Sequence, residues 1–231
     1  MVNINASSTS TGALGVGAVG VGTTLGTITA GSSLDNVIIT TTTGELNVGA
    51  ITATGASLVS YSVTTGANTA ANNYGQLNVG PGSIASYSIN AGASTAANEY
   101  GALTAGSITA MSITTGNGGG SHTFNSLAGV GSIGSLTVDA DDNVTFTTGA
   151  TGATSVGNIN VDVLAGAAVA LGTFGAAGGT LSDITVTGAG TFSIASGAVL
   201  TVGNVDTSAM TGGTATVTLS NSTRNGQLLC I

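Results

Sequence analysis

The chain has almost no charge. No lysine occurs among its 231 residues, Arg224 is the only arginine, and charged residues make up 4% of the total. An ordinary soluble domain carries about 25%. Without clustered Lys and Arg there is no surface for phosphates, so nucleic acid is not an expected partner. Anionic membrane surfaces are disfavoured on the same ground. Nine acidic residues against one arginine give a formal net charge of −8, spread thinly enough to oppose nonspecific association. One cysteine, Cys230, excludes an internal disulfide framework. In the tail Leu228-Leu229-Cys230-Ile231 it reads as a small apolar residue, with an intermolecular disulfide as the alternative. Tryptophan is absent, and proline and histidine occur once each. Helix signals are nearly absent too, since the alanine run from Ala165 to Ala170 is broken by Gly166 and flanked by β-branched residues. The segment Met1-Val2-Asn3-Ile4-Asn5 has neither the basic start nor the apolar run of a signal peptide. No stretch approaches the roughly 20 apolar residues of a spanning helix, so membrane insertion is not expected.

What the chain does have is glycine, 39 residues of it, and 42% hydrophobic residues. That much Val, Ile and Leu must be buried, which leaves Ser, Thr, Asn and Gly to form the surface. The strongest signal is internal repetition. Thr69-Ala70-Ala71-Asn72-Asn73-Tyr74-Gly75 returns as Thr95-Ala96-Ala97-Asn98-Glu99-Tyr100-Gly101, and again, worn down, as Thr123-Phe124-Asn125. Tyr74, Tyr100 and Phe124 thus recur at a spacing of about two dozen residues. Leu77, Leu103 and Leu127 repeat the same two intervals. A second segment runs from Ser57 to Gly66 and recurs from Ser83 to Gly92 and from Ser107 to Gly116. Within it Tyr61/Val63, Tyr87/Ile89 and Met111/Ile113 are two apart, which puts each pair on one face of a strand. Further β-branched runs follow at Leu136-Thr137-Val138, Val144-Thr145-Phe146, Ile159 to Val163, Ile184-Thr185-Val186, Phe192-Ser193-Ile194, Leu200-Thr201-Val202 and Val217-Thr218-Leu219. The single Pro81 falls between two strands, where a missing N–H does least harm.

A unit of this length lets like residues stack directly above one another. The sequence therefore predicts an all-β fold, a parallel β-solenoid (β-helix) of roughly nine coils with about 24–26 residues per coil. Tyr74, Tyr100 and Phe124 should form one column, and Leu77, Leu103 and Leu127 its neighbour. The lack of charge fits this architecture. A column of like charges repels, while Thr and Asn columns hydrogen-bond along the stack. The expected organisation is an apolar, Gly-rich segment over residues 1–24 (a donated strand or a cap), the solenoid over 25–220, and a tail over 221–231.

Little in the sequence carries chemistry. His122 follows Gly118-Gly119-Gly120-Ser121 and reads as an exposed turn histidine. Its Ser neighbour suggests hydrolysis, but no third residue is placed by any motif, so the chain is not expected to be an enzyme. Asp139, Asp141, Asp142 and Asn143 form the densest oxygen cluster and are a candidate Ca²⁺ site, set against a plain solvated turn. The glycine–aspartate nonapeptides of calcium-binding β-rolls are absent. Gly129 to Gly134 matches the spacing of a dinucleotide fingerprint without the helix that should follow. Thr40 to Thr43, Thr64-Thr65, Thr114-Thr115 and Thr147-Thr148 suggest one flat ice-binding ledge, broken at Asn90-Ala91. Sequons at Asn5, Asn143 and Asn221 carry little weight in so Ser/Thr-rich a chain.

The units Leu77-Asn78-Val79-Gly80, Ser83 to Ile89 and Val156 to Val161 resemble those of the β-strand-repeat surface proteins of bacteria, such as autotransporter passenger domains and filamentous exoproteins. The resemblance covers most of residues 25–220 and is one of composition and period. It implies an extracellular or cell-surface solenoid acting in adhesion, filament formation or a coat. No outer-membrane barrel segment accompanies it, and a virion location is the alternative. The expected function is a structural protein that self-assembles as a homopolymer through its solenoid ends. The alternatives are a phage fibre or adhesin rod binding a glycan, and an ice-binding solenoid.

Overall fold

In the computed structural model the backbone is described for residues 2–6, 13–16, 23–30, 34–41, 45–53, 55, 57–67, 69–197, 200–219, 223–224 and 228–229. Side chains are described over 24–30, 34–41, 45–53, 55, 57–67, 69–197 and 200–219. No helix occurs among these residues. The chain winds into a parallel β-solenoid of about eight turns. The coil length varies. Between successive coils, Asn72 and Asn98 are 26 residues apart, whereas Asp183 and Asn204 are 21 residues apart.

One coil shows how the sequence makes the turn. The long strand Ser83–Ala93 buries Ile84, exposes Ala85 and Ser86 at a bend, then alternates with Tyr87, Ile89 and Ala91 inward. After a corner at Ser94–Ala96 the strand Ala97–Tyr100 turns Asn98 and Tyr100 inward. Gly101 bends the chain again, and Leu103–Ala105 completes the coil with Leu103 and Ala105 buried. The Tyr-Gly corner is tight because coils stack there backbone on backbone. A Cβ placed on Gly75 would lie 2.6 Å from the carbonyl carbon of Gly49, and one on Gly49 would lie 2.7 Å from that of Gly26. No side chain fits in that space.

Two ladders dominate the rod. The long-strand sheet climbs through Asn36–Thr41, Leu58–Thr65, Ser83–Ala93, Ser107–Gly116, Ser132–Ala140 and Ser155–Val163 to Ile184–Gly188 and Val205–Met210. The aromatic sheet climbs from Thr23–Ala30 through Leu46–Val48, Asn72–Tyr74, Ala97–Tyr100, Ser121–Phe124 and Asn143–Phe146 to Ala168–Phe174, Thr191–Ser196 and Thr214–Thr218. A shorter ladder of Ile51–Thr52, Leu77–Asn78, Leu103–Ala105 and Gly129–Val130 branches from the second half of Thr23–Ala30. Between the sheets lies one continuous core. One of its columns reads Val37, Tyr61, Tyr87, Met111, Leu136, Ile159, Ile184 and Val205, and another Ile39, Val63, Ile89, Ile113, Val138, Val161 and Val186. Every member is buried. Each such aliphatic side chain contributes about 1.5–3 kcal/mol by leaving water.

The expected columns form. Tyr74 stacks on Tyr100 at 5.0 Å between ring centroids and 9° between planes, and Tyr100 stacks on Phe124 at 4.4 Å and 11°. The stack continues to Phe146 at 4.7 Å and ends edge-on at Phe174. Leu77 lies beside Leu103, and the Leu103 N–H donates to Ser126 O, which sets Leu127 above it. At the N-terminal side, Val2–Ala6 pairs with Thr23–Ala30 and Ala13–Val16 with Asn36–Thr41. At the other side Thr223–Arg224 pairs with Thr201–Val202, and Leu228–Leu229 with Val205–Met210. The described strands at both ends therefore extend the chain's own ladders. Residues 17–22, Asn221, Cys230 and Ile231 lie outside the described residues, as does the Asn5 side chain.

Candidate functional site

The outer face of the long-strand sheet is a grid of short polar side chains. One column reads Ser62, Ser88, Ser112, Thr137, Asn160 and Thr185, and the next Thr64, Asn90, Thr114, Asp139, Asp162 and Thr187. Period-two alternation sends these residues out because their neighbours fill the core. The lower part of the grid is uncharged. Its upper part sets Asp139 beside Asp162 on successive coils. Thr187 Oγ1 donates to Asp162 Oδ1 at 2.8 Å. The Asp139 carboxyl is held above its ordinary range, first by partial desolvation and then by the charges of Asp141 and Asp162.

This geometry corrects the expected threonine ledge. Thr40, Thr64 and Thr114 share the outer column, but Thr41, Thr65 and Thr115 point inward and are buried. Adjacent residues of one strand face opposite sides, so a Thr-Thr pair contributes one hydroxyl to the face and one to the core. Thr147 and Thr148 follow the strand Asn143–Phe146 of the other sheet and are no part of this surface. Thr42 and Thr43 lie outside the described residues.

His122 is not an exposed turn residue. It sits within the strand Ser121–Phe124, fully buried, beside Asn98 of the coil below and Val144 of the coil above. The physical reason is register. Stacking Phe124 on Tyr100 obliges the residue two before it to point inward as Asn98 does. Ser121, one residue away, faces out, so the two cannot form a Ser–His pair. The imidazole Nδ1 lies 3.4 Å from the Tyr100 hydroxyl, and Nε2 has no partner. Burial pushes the histidine from 6.5 down to about 4, against a smaller opposing effect of the Asp142 charge. The preceding glycines line a corner: Gly119 has φ +80°, and a Cβ on Gly118 or Gly120 would collide with the Ser94 backbone. Below His122 the polar interior is a ladder. Leu46 N–H donates to Asn72 Oδ1 at 2.9 Å, Asn72 Nδ2 donates to Asn98 Oδ1 at 2.8 Å, and Asn98 Nδ2 reaches Ser94 Oγ at 3.2 Å. Burial also pushes up the hydroxyls of Tyr61, Tyr74, Tyr87 and Tyr100, which stay protonated.

The candidate Ca²⁺ oxygens are dispersed. Asp139 stands on the outer face of the long-strand sheet. Asp142 is buried and accepts from the N–H groups of Gly118 and Gly119, the latter at 2.7 Å. Asn143 Oδ1 accepts from Ala168 N–H at 2.9 Å. The backbone N–H groups of Asp141 and Asp142 both donate to Thr115 Oγ1. Among the described residues no group of three or more His, Cys, Asp or Glu is placed to hold a metal. Two of the four side chains are spent fixing backbone between coils, a demand that local sequence does not reveal. Gly129–Val130 and Ser132–Ala140 are both strands, so the fingerprint-like glycines open no helix. No family model, curated protein or solved structure matches the chain.

Proposed function

We propose that this chain is a non-catalytic structural protein of the cell exterior or of a virion, which polymerises head to tail into a filament or coat. The observation that carries this reading is the edge at Thr214–Thr218. Among the described residues the aromatic sheet ends there, on a parallel strand that pairs only downward, with Thr191–Ser196. Unpaired strand edges invite another chain unless charge, proline or a bulge blunts them. Thr214-Ala215-Thr216-Val217-Thr218 has none of these, and Ala215, Val217 and Leu219 remain half-covered against the core. The same sheet begins at Val2–Ala6, which runs parallel to it. One copy laid on the next would continue the sheet in strand direction, a heterologous contact of the kind that builds filaments where its rotation closes no ring. The charges agree with this: all nine acidic residues lie between Asp35 and Asp206. Thr214–Thr218 itself carries none of them, and the nearest in sequence, Asp206, stands on the preceding strand of the same coil. The solenoid fold is also that of the bacterial surface proteins which the repeats resemble. Light scattering and negative-stain microscopy of the purified chain over a range of concentration test the reading. Filaments of uniform width are expected, and a monodisperse monomer at high concentration overturns it.

The hydroxyl and amide grid of the long-strand sheet favours a second reading, a rod that binds a neutral glycan along its flank. Retention on immobilised neutral polysaccharides, weakened by bulky substitutions at Ser88 and Ser112, is the expected result. No retention removes this reading and leaves the first intact.

A further inference from the structure

We propose that His122 is an acid-sensitive lock on one coil: its neutral imidazole holds residues 117–124 closed, and protonation opens that segment while neighbouring coils stay wound. His122 is the third rung of an inward column that begins with Asn72 and Asn98. Two coils below use asparagine at this position, and each amide is bonded within the stack. The third coil uses an ionisable ring in the same dry column, fully buried, with Nε2 unpartnered.

The groups that face the ring are few. From Ala97–Tyr100 come the Tyr100 hydroxyl and the Asn98 amide, while Glu99 points outward. From the strand Asn143–Phe146 comes only Val144, and from the turn before it Asp142. That carboxylate already accepts from Gly118 and Gly119. Its charge favours an imidazolium, but less than burial opposes one. A protonated ring would hold its Nε2–H with no acceptor, the costliest state for a buried polar group.

Relief is near at hand. Asn117, Gly118, Gly119 and Gly120 precede the strand, and Asp142 is the side chain that pins Gly118 and Gly119. Letting 117–124 swing out hydrates the ring, at the expense of Phe124 stacking and of the ladders that join Ser121–Phe124 to Ala97–Tyr100 and Asn143–Phe146. The direction follows from linkage. The closed state holds its proton less tightly than the open one, so closure is fully stable above about pH 6.5 and weakens as pH falls toward 4. With an ordinary 6.5 in the open state, the opening constant rises about thirtyfold by pH 5.

Hydrogen exchange with mass spectrometry reads this directly. After correction for intrinsic rates, peptides over 117–124 should exchange about thirtyfold faster at pH 5 than at pH 7.5, with the strand Ser83–Ala93 unchanged. His122→Asn continues the asparagine ladder and removes the titration, so its exchange should be flat across the same range. Equal acid loss in both proteins overturns the proposal, as does wild-type protection that does not change. Because the chain has one histidine, a labelled-histidine NMR titration of the wild type decides independently of the variant. A folded-state midpoint near 6.5, with the segment still closed, also overturns it.

Discussion

The side-chain amide of Asn72 donates to Asn98 Oδ1 at 2.8 Å across two coils, with both residues buried. It is the middle link of a chain that begins at the Leu46 backbone. Buried amides stabilise only while their partners remain. Asn98→Ala should therefore cost about 1–3 kcal/mol, by orphaning the Asn72 Nδ2 group. The double change Asn72→Leu with Asn98→Leu should cost less than the sum of the single changes. Guanidinium unfolding followed by far-UV circular dichroism, taken round the double-mutant cycle, measures the difference.

The aromatic stack sits further along the same strands. Phe124 lies between Tyr100 and Phe146 at 4.4 and 4.7 Å, fully inside the rod. Truncation to alanine removes contacts on both faces and leaves a cavity that backbone-stacked coils cannot close. Phe124→Ala should cost about 3–5 kcal/mol. Phe124→Tyr should cost less, because Tyr100 already carries a hydroxyl at that point of the stack. Thermal unfolding of the two variants tests the order.

These columns were legible in the sequence because the repeat spacing names them. Tyr74, Tyr100 and Phe124 recur with their leucines, and period-two alternation places each pair. Phe146 was visible as part of a strand but not as the next rung, because the coil that joins it to Phe124 is shorter than the two before it. The fate of His122 follows from the same register, yet Ser121 and the glycines before it look like a loop when read locally. The roles of Asp142 and Asn143 were not legible at all. Each satisfies backbone N–H groups in a neighbouring coil, and sequence proximity carries no information about that partner.

The glycine corner makes a sharper test of stacking. Gly75→Ala would push a methyl group to 2.6 Å from the Gly49 backbone. Nothing flexible can yield, so coils must separate locally, and a loss of about 1–3 kcal/mol or more is expected. Gly55→Ala meets nothing within 4 Å and suffers only from its φ of +84°. That strain is worth about 1 kcal/mol. Comparing the two melting temperatures separates coil-to-coil contact from backbone conformation.

Asp139 and Asp162 occupy adjacent rungs of an exposed column, and their charges oppose each other. Asp139 binds its proton more tightly in the folded chain than in the unfolded one, so ionising it weakens the fold. The penalty is absent at acid pH and appears as pH rises through the carboxylate range. Asp162→Asn should therefore raise the melting temperature at pH 7. The gain should shrink in high salt, where surface charges are screened, and vanish below the carboxylate range. A gain that ignores both variables would mean that the asparagine acts through a new ladder hydrogen bond instead.

The assembly reading predicts where a single charge should act. Val217 lies beside Ile194 on the last described strand of the aromatic sheet and is half-covered. An inward lysine on an edge strand is a known way to prevent edge-to-edge pairing, since the partner would have to bury it. Stability in a stacked rod is a sum of neighbour terms, so a change at the outermost rung disturbs one interface only. Val217→Lys should keep the wild-type circular dichroism spectrum and nearly the wild-type melting temperature, but remain monomeric by light scattering. Thr145→Lys puts the same charge on the exposed flank of the aromatic sheet, where no end contact reaches it. It should assemble as the wild type does. If the flank variant blocks assembly and the edge variant does not, copies associate side by side and the head-to-tail contact is wrong.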